Sequence, residues 1–414
     1  MWSVAVDNED STMNDYIKIV LKPGKEAAVK RFHPWIFSGA IRNIQGRPSA
    51  GDVVEIYSAA REYLATGHYQ EDSIAVKIVS FQECAVDLEF WTRKLNTALS
   101  VRQRIGVTNT SVTNAYRLIN TEGDGLPGLI VDYYNGVAVV QAHSQGMGRA
   151  LPLVVEGLKA VYGDDLKAVY NKSSDTLHPA NGKGGKETES LVRDSYLFGG
   201  PSDLTVQETG HHFHVDVEKG QKTGFFLDQR GNRMFAQFYA KDKKILNAFA
   251  YSGAFSVYAL KGGATVVHSV DSSKQAIAWA SENVELNRIK ASRHLGIVAD
   301  VKKYLVEADE MYDMIILDPP AFAKHHNVSH NALMAYQFIN ASALKKLNKG
   351  GLLFTFSCSQ AINRELFHSA LRSAALESGR EIRLLHQLSQ GPDHPVNIYH
   401  PEGEYLKGLI LMVE

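Results

Sequence analysis

The sequence predicts an α/β protein whose C-terminal half contains a mostly parallel sheet with helices on both faces. From about Leu204 onward, apolar strand-like segments alternate with helical segments, as in βαβ units. These apolar segments are residues 245–249, 265–270, 296–299, 314–317 and 352–356. The N-terminal part has short alternating strands instead, and a chain of 414 residues has room for two or three domains.

Residues 16–83 contain short strands separated by Gly and Pro turns, which predicts a small β-barrel. Basic and aromatic side chains are interleaved in this block, a pattern that suits contact with an RNA backbone and its bases. The residues expected to bind RNA are Lys22, Lys25, Lys30, Arg31 and Trp35. A solvated charged edge is the alternative interpretation.

The sequence of residues 84–203 predicts a connector helix over residues 87–105, followed by a small α+β domain. Asn135-Gly136 stands between two apolar runs and is a strong hairpin signal. A helix over 149–161 and a strand over 166–170 follow, and the polar, Gly-rich residues 181–190 indicate a loop.

Residues 204–414 form the third predicted domain. We expect it to open with a hairpin that pairs residues 213–217 with 222–227, ahead of the parallel sheet. His212 and His214 share one strand face, but no further ligands follow at metal spacing, so no metal site is predicted.

The net charge of −1 and the pI of about 7 argue against a nucleic-acid partner, because phosphate contact usually requires an excess of Lys and Arg. A large enzyme can nevertheless concentrate basic residues on one face. No apolar run approaches the ~18 residues that span a bilayer, and the N-terminus lacks a secretory signal. The two cysteines suit a reducing compartment, so we expect a cytoplasmic protein without a membrane partner.

Acidic and small residues follow the predicted strands of the third domain, where ligands of open α/β sheets bind. Gly253 lies in a tight turn after the first strand, and Asp271 ends the second at a spacing that suits a ribose diol. Asp300 ends the third and could bind an adenine amino group, and Asp318 ends the fourth. The turn lacks the Gly-x-Gly-x-x-Gly pattern, so an adenosyl ligand fits better than a dinucleotide. This order predicts a class I methyltransferase, although each Asp alone could be a helix cap.

The segment Asp318-Pro-Pro-Ala-Phe predicts a rigid strand end. Pro319 and Pro320 restrict the backbone, so that Asp318 points into the pocket and Phe322 can stack on a base. The alternative is a rigid turn with a buried Phe.

Cys358 follows a later strand of the same sheet. Methylation of cytosine at carbon 5 requires a nucleophile that adds to carbon 6, and a thiolate there would divide one difficult step into easier ones. A small buried core residue is the alternative for Cys358.

Four segments carry a resemblance to a known family: residues 21–26, 33–39, 120–132 and, most specifically, 222–233. The chain resembles the RlmI family of bacterial 5-methylcytosine methyltransferases of large-subunit ribosomal RNA over nearly its whole length. The resemblance implies a PUA domain, a small central domain and a Rossmann-like methyltransferase domain. It further implies S-adenosylmethionine as cofactor, ribosomal RNA as partner and a homodimer.

The resemblance also implies site residues. Cys358 and Asp318 would be catalytic, and Pro319, Pro320 and Phe322 would contact the base. The residues expected around the cofactor are Phe225, Asp228, Gln229, Arg230, Asn247, Tyr251, Ser252, Gly253, Asp271, Asp300 and Asp318.

Two departures from the family pattern leave one role open. Ala321 replaces a common Lys, although Lys324, His325 and His326 follow, and Asp-Pro-Pro replaces the Pro-Cys of the wider RNA 5-methylcytosine class. The base that removes the carbon 5 proton is therefore unassigned, and a His or water could serve.

Two other functions fit the same residues. They are methylation of a guanine or adenine amino group with a structural Cys358, and RNA binding without catalysis. In each case, a Pro-rich loop near residues 393–402 is expected to close over the site.

Overall fold

The structure is a computed structural model that describes residues 15–108, 110–177, 193–322 and 329–414. The N-terminal domain is a six-stranded sheet in the order β2-β6-β5-β4-β1-β3. Its elements are β1 (Ile17–Leu21), α1 (Ala27–Lys30), β2 (Trp35–Phe37), β3 (Ile41–Gln45), β4 (Val53–Tyr57), β5 (Tyr63–Tyr69) and β6 (Ile74–Ser80).

The connection between β2 and β3 requires this sheet to curl. In a flat sheet these two end strands would lie about 24 Å apart, because neighbouring strands are spaced about 4.8 Å. The single turn Ser38–Ala40 joins them, and such a link spans at most about 14 Å. The sheet therefore bends round on itself, as the predicted barrel requires, and encloses a small apolar core.

The middle domain is a five-stranded sheet in the order β11-β10-β9-β8-β7, flanked by two helices. Its elements are α2 (Leu88–Arg104), β7 (Ala115–Asn120), β8 (Leu129–Tyr134), β9 (Val137–Ala142), α3 (Gln145–Tyr162), β10 (Ala168–Asn171) and β11 (Ser195–Phe198). The Asn135-Gly136 hairpin is confirmed: β8 and β9 pair antiparallel, and both turn residues have positive φ, 47° and 97°.

Helix α3 begins earlier than the sequence predicted. The Ser144 side chain accepts a hydrogen bond from the Met147 amide at 3.3 Å, which caps the helix several residues before Arg149. The predicted loop over 181–190 lies outside the described residues.

The C-terminal domain contains a seven-stranded sheet in the order β16-β15-β14-β17-β18-β20-β19. Strands β14 to β18 are parallel, and β20 runs antiparallel between β18 and β19. The strands are β12 (Thr205–Glu208), β13 (His211–His214), β14 (Lys244–Ala248), β15 (Val266–Asp271), β16 (His294–Val298), β17 (Tyr312–Leu317), β18 (Leu347–Ser357), β19 (Ile382–Leu388) and β20 (Lys407–Val413). The helices are α4 (Arg230–Tyr239), α5 (Ala254–Lys261), α6 (Lys274–Leu286), α7 (Val301–Glu307), α8 (Ser329–Lys345) and α9 (Arg364–Ser378).

Both faces of this sheet are buried, as the sequence predicted. Along β17, Met314 and Ile316 join one apolar cluster, whereas Ile315 and Leu317 join the other. The strand order reverses at β14, between β15 on one side and β17 on the other, and this switch point marks where a ligand binds. Within the described part of the chain, no helix is long and apolar enough to cross a membrane.

The predicted pairing of residues 213–217 with 222–227 is wrong. The hairpin is β12 with β13, and it closes at Thr209-Gly210, where both φ angles are positive. Beyond β13, the Asp216 side chain accepts hydrogen bonds from the amides of Glu218 at 3.0 Å and Lys219 at 2.8 Å. Because this local turn competes with strand pairing, it directs residues 222–229 toward the carboxyl edge of the sheet instead.

A fully buried carboxylate fixes the hairpin to the helices. Glu208 at the end of β12 accepts hydrogen bonds from Arg233 at 2.6 Å, Arg230 at 3.2 Å and the Tyr258 hydroxyl at 2.9 Å. Arg230 also donates to the carbonyl of Ala115 in the middle domain at 2.5 Å. The two domains therefore share one buried ionic network.

We predict that Glu208→Gln lowers the free energy of unfolding by about 3–5 kcal/mol, because it leaves the buried Arg233 guanidinium without its counter-ion and leaves Arg230 paired with Asp393 alone. Urea unfolding measures this loss. The matched control is Glu62→Gln, which breaks the exposed pair with Lys30 and should cost at most about 1 kcal/mol. Equal losses in the two variants would contradict a stabilising role for this network.

Candidate active site

The turn after β14 has an unusual backbone. Phe249, Tyr251 and Gly253 all have positive φ, at 61°, 44° and 73°. For the two aromatic residues this conformation costs on the order of 1–3 kcal/mol each, and such strain concentrates at functional sites. At Gly253 a Cβ atom would lie 2.7 Å from the Cβ of Ala280 in α6. Close helix packing is thus the observed reason for this glycine, and the predicted approach to a ligand stays a prediction.

Asp271 holds the turn from the neighbouring strand end. Its carboxylate accepts hydrogen bonds from the amides of Tyr251 at 3.0 Å and Ser273 at 2.9 Å. Each oxygen retains a further lone pair, so the carboxylate can also accept bonds from two ribose hydroxyls.

Asp300 lies just beyond the end of β16 and caps helix α7. Its side chain is exposed and accepts a bond from the Lys303 amide at 2.9 Å. This geometry fits the capping alternative that the sequence left open. Its contact with adenine stays a prediction.

Two polar residues of the turn differ in their partners. Asn247 is buried and donates to the Ser256 hydroxyl at 2.8 Å, so it braces the turn from beneath. The Ser252 hydroxyl is buried and has no hydrogen-bond partner among the described residues. Since buried polar atoms are normally paired, Ser252 offers a hydrogen bond to a ligand at this turn.

Asp318, Gln229 and Asp228 meet at the end of β17. Burial, followed by the nearby charge of Asp228, raises the pKa of the Asp318 carboxyl to about 7, and a hydrogen bond from Gln229 partly opposes this. One oxygen of Asp228 accepts a bond from the Tyr405 hydroxyl at 2.7 Å. The other is buried with no partner in the described ranges. The site therefore holds unsatisfied negative charge, which suits the positively charged sulfonium end of S-adenosylmethionine.

Cys358 lies beside Asp318 and not in a sealed apolar core. Its partly exposed thiol is 4.0 Å from the Pro319 carbonyl oxygen. Burial, and then the charges of Asp318 and Asp228, raise the pKa of this thiol to about 11. The predicted pair of Asp318 and Cys358 is brought together, but the thiol is protonated at neutral pH unless another group stabilises its anion.

Two residues expected near the cofactor have other contacts. Phe225 is buried in the core, 5.0 Å from the Phe213 ring, and its neighbour Phe226 faces Tyr251 at 5.3 Å. Arg230 is engaged in the Glu208 network. Cofactor contact by Phe225 and Arg230 stays a prediction, and these contacts do not favour it.

The residues after Asp318 form a rim. Pro319 is buried and Pro320 is exposed. The partly buried Phe322 ring lies 4.8 Å from Tyr336 and 5.3 Å from the Lys302 ammonium. These contacts show Phe322 packed at the rim, and its stacking on a base stays a prediction. Lys324, His325 and His326 lie outside the described residues.

The C-terminal loop and strand β20 complete the site. Besides the contact of Tyr405 with Asp228, the buried Lys407 donates to the carbonyls of Ser359 at 2.6 Å and Tyr405 at 2.7 Å. Sequence reasoning missed both Tyr405 and Lys407. The one signal in the sequence is a lysine directly ahead of the apolar run 408–413.

The residues expected to bind RNA lie on the N-terminal domain and are not part of the active site. Lys22, Lys25, Lys30 and Arg31 are exposed. Trp35 donates to a Glu122 carboxylate oxygen in the middle domain at 2.8 Å.

Six rings from residues 32–37 and 399–400 are called here the aromatic surface, and they contact each other in two sets, one around Trp35 and one of Phe32 with Tyr399. Its members are Phe32, His33, Trp35, Phe37, Tyr399 and His400. The N-terminal domain contributes four of these rings and the C-terminal loop contributes two. Phe32, Phe37 and Tyr399 are about half exposed. In the described residues, no group of three or more His, Cys, Asp or Glu side chains could hold a metal ion.

Comparison with known families and proteins agrees with this architecture. Residues 19–81 match the model of a PUA-like domain, and residues 193–399 match that of an S-adenosylmethionine-dependent methyltransferase. The chain is 39% identical over 403 residues to ribosomal RNA large subunit methyltransferase I of Alteromonas mediterranea, covering 96% of this chain and 98% of that protein. It is 35% identical over 402 residues to the Escherichia coli protein of the same name, covering 96% and 99%.

Solved structures share the fold. One is an S-adenosylmethionine-dependent methyltransferase from Streptococcus mutans, with a TM-score of 0.79, 23% identity, and 95% of this chain and 99% of that chain covered. Another methyltransferase, complexed with S-adenosylhomocysteine, has a TM-score of 0.80, 23% identity and the same coverage.

The raised pKa of Asp318 predicts that ionisation of this carboxyl destabilises the folded state in a pH-dependent way. Because the folded-state pKa of about 7 exceeds the ordinary value of 3.8, ionisation of this carboxyl opposes folding increasingly as the pH rises through that interval. In the cofactor-free protein, Asp318→Asn should therefore raise the Tm, with a gain that grows from about pH 4 to 7 and then levels off. Asp72→Asn in an exposed loop is the control. A gain that is the same at every pH would refute this explanation.

Proposed function

Because the chain belongs to the family of ribosomal RNA large subunit methyltransferase I, whose methyl donor is S-adenosylmethionine, we propose that it methylates carbon 5 of a cytosine in large-subunit ribosomal RNA. The observation that carries the choice of atom is the position of Cys358. Its sulfur lies 4.0 Å from the Pro319 carbonyl, at the same sheet edge as Asp318.

A thiol at this place has a specific use. Carbon 5 of cytosine is a poor nucleophile until a nucleophile adds to carbon 6 and interrupts the aromaticity of the ring. Transfer to an exocyclic amino group needs no such addition. A cysteine next to the base-binding segment therefore supports carbon 5 as the methylated atom.

Cys358 and Asp318 each have a role in the proposed reaction. The Cys358 thiolate forms a bond to carbon 6, and the displaced electron pair makes carbon 5 nucleophilic. Asp318, whose pKa is raised to about 7 by burial and Asp228, retains a proton that an ordinary carboxyl would lose, so it can donate to the ring as negative charge builds there. The bound cofactor supplies an electrophilic methyl group.

Two bonds then break to release the product. A base removes the proton from carbon 5, and the electron pair of that bond reforms the ring double bond as the sulfur leaves carbon 6. The base is a histidine or a water molecule, in keeping with the absence of a second cysteine at the Asp-Pro-Pro strand end. The thiolate is regenerated.

Contact with RNA is supported by the aromatic surface. Exposed rings provide platforms on which unpaired bases stack, whatever their sequence. The Lys22 ammonium donates to the Gly39 carbonyl at 2.8 Å, two residues beyond Phe37, and Arg31 is adjacent to Phe32. Positive charge beside exposed rings suits a single-stranded RNA, despite the net charge of −1 for the whole chain.

Methylation of a guanine or adenine amino group is the second candidate. The raised pKa of the Cys358 thiol, caused by burial and by Asp318, favours it, because a protonated thiol is a poor nucleophile. In that reaction Cys358 would be structural and the Asp-Pro-Pro-Ala-Phe rim would suffice.

We predict that Cys358→Ala reduces methyl transfer by roughly a thousandfold or more while preserving cofactor affinity. Mass spectrometry of nucleosides from methylated ribosomal RNA identifies the product, and calorimetry measures the cofactor affinity. Cys84→Ala, which changes the other cysteine, should retain activity. A fully active Cys358→Ala variant would exclude the covalent route, and a methylated purine would exclude cytosine as target.

We also predict that Phe37→Ala and Tyr399→Ala each weaken RNA binding by about 5- to 150-fold in Kd, since one stacked base contributes about 1–3 kcal/mol. Cofactor affinity should not change. The matched control is Leu376→Ala, which removes an exposed apolar side chain from α9. If all three variants bound RNA like the unmodified chain, the aromatic surface would not be an RNA site.

A further inference from the structure

Lys407 is a buried charged residue at the start of an otherwise apolar strand. It is 4% exposed, and it is followed by Gly408 and five apolar residues. Burying an ammonium group is costly unless it is paired. The position of Lys407 therefore calls for a reason beyond packing.

The strand register places Lys407 beside the nucleophile. Lys407 pairs with Ser357 across β18 and β20, one residue before Cys358. Its ammonium donates to the carbonyl of Ser359 at 2.6 Å, one residue after Cys358. Ser357 and Ser359, the chain neighbours of Cys358, therefore determine the position of the Lys407 ammonium.

The contacts of Lys407 leave its charge without a carboxylate partner among the described residues. Two of its three N–H groups are used by the neutral carbonyls of Ser359 and Tyr405. The carboxylate that most affects the pKa of Lys407 is Glu404. Glu404 already forms an ion pair with Arg364 at 2.6 Å. The Cys358 thiol is therefore the ionisable group that remains to pair with this ammonium.

The other charged and titratable neighbours of Cys358 act against its ionisation. The carboxylates of Asp318 and Asp228 both raise the pKa of the thiol, and Tyr336 interacts with it from α8. Lys407 is the charged neighbour that lowers the pKa of the thiol. A backbone hydrogen bond at Cys358 also lowers the pKa of the thiol, by more than Lys407 does, so a thiolate at this site is stabilised by that bond and by the ammonium together.

We propose that Lys407 is the counter-ion of the Cys358 thiolate, a positioning residue that makes the sulfur nucleophilic. This inference rests on the proposed function, in which the thiolate is the nucleophile. Its two carbonyl contacts and the pairing of β20 with β18 fix the position of the ammonium next to residues 357–359.

The Lys407 amine and the Cys358 thiol influence each other's titration. Burial lowers the pKa of the Lys407 ammonium to about 8, and the charge of Cys358 partly opposes this change. The amine and the thiol then titrate as a pair in the neutral to alkaline range. Because the pKa of about 8 for Lys407 lies below that of about 11 for Cys358, loss of one proton leaves chiefly the neutral amine beside the thiol, and the ammonium–thiolate form, with the remaining proton on nitrogen, is the minor and reactive one.

The test measures the reactivity of the sulfur without cofactor, RNA or turnover. In a Cys84→Ser background, Cys358 is the one remaining thiol, and its alkylation by iodoacetamide is followed by intact mass between about pH 6 and 10. Lys407→Met should slow alkylation near pH 8 by about tenfold or more, because each unit rise in thiol pKa reduces the thiolate fraction tenfold. Lys407→Arg keeps the charge and should restore most of the rate.

An unchanged pH profile in Lys407→Met would overturn the proposal. Lys407→Gln replaces it should the Met variant fail to fold, since the Gln amide can still donate to the carbonyls of Ser359 and Tyr405, and the same slowing of alkylation is expected. Binding of S-adenosylhomocysteine and an unchanged Tm establish that each variant is folded. Nucleoside analysis tests the target atom separately, so slowed alkylation with a methylated purine would retain the ion pair and reject cytosine methylation.

Discussion

Two carboxylates and a thiol share one partly buried site, and this concentration of negative charge constrains everything around it. Asp318 and Cys358 converge because the parallel strands β17 and β18 end at the same edge of the sheet, and the turn Leu227–Gln229 brings Asp228 to them. Water cannot fully solvate them there, so the pKa values of Asp318 and Cys358 rise. The Tyr405 hydroxyl and the Lys407 ammonium offset part of this charge, and the remainder suits a cationic ligand.

The C-terminal loop connects this charged site to the other two domains. Asp393 forms an ion pair with Arg230 at 3.3 Å and accepts a hydrogen bond from the Arg117 amide at 3.2 Å. Burial alone would raise the pKa of Asp393, but Arg230 and His394 hold it well below its usual range. The same loop brings His400 to 4.3 Å from Trp35 and Tyr405 to Asp228. A surface suited to RNA and a pocket suited to the cofactor therefore share one continuous segment.

Local sequence signals predicted the elements that local forces determine. The parallel strands, the Asn135-Gly136 turn, and the Asp318 and Cys358 strand ends all follow from periodicity and turn chemistry. The β12–β13 pairing was missed because a side-chain turn at Asp216 overrode the apolar pattern. Lys407 was missed because its role depends on β20 inserting antiparallel beside β18. That contact joins positions far apart in sequence, and no local pattern specifies it.

The pKa values of Asp318 and Cys358 are raised by the same two causes, burial and nearby negative charge. Each negative charge makes the other more costly, since both occupy the same poorly solvated space. A proton on Asp318 therefore removes part of the cost of ionising Cys358, and the ammonium of Lys407 removes a further part. The arrangement in which the carboxyl is neutral and the sulfur is charged is the one that places a hydrogen-bond donor and a nucleophile on the same base. Opposite protonation states at these two neighbouring groups are what the proposed chemistry requires, and the electrostatics of the site couple them.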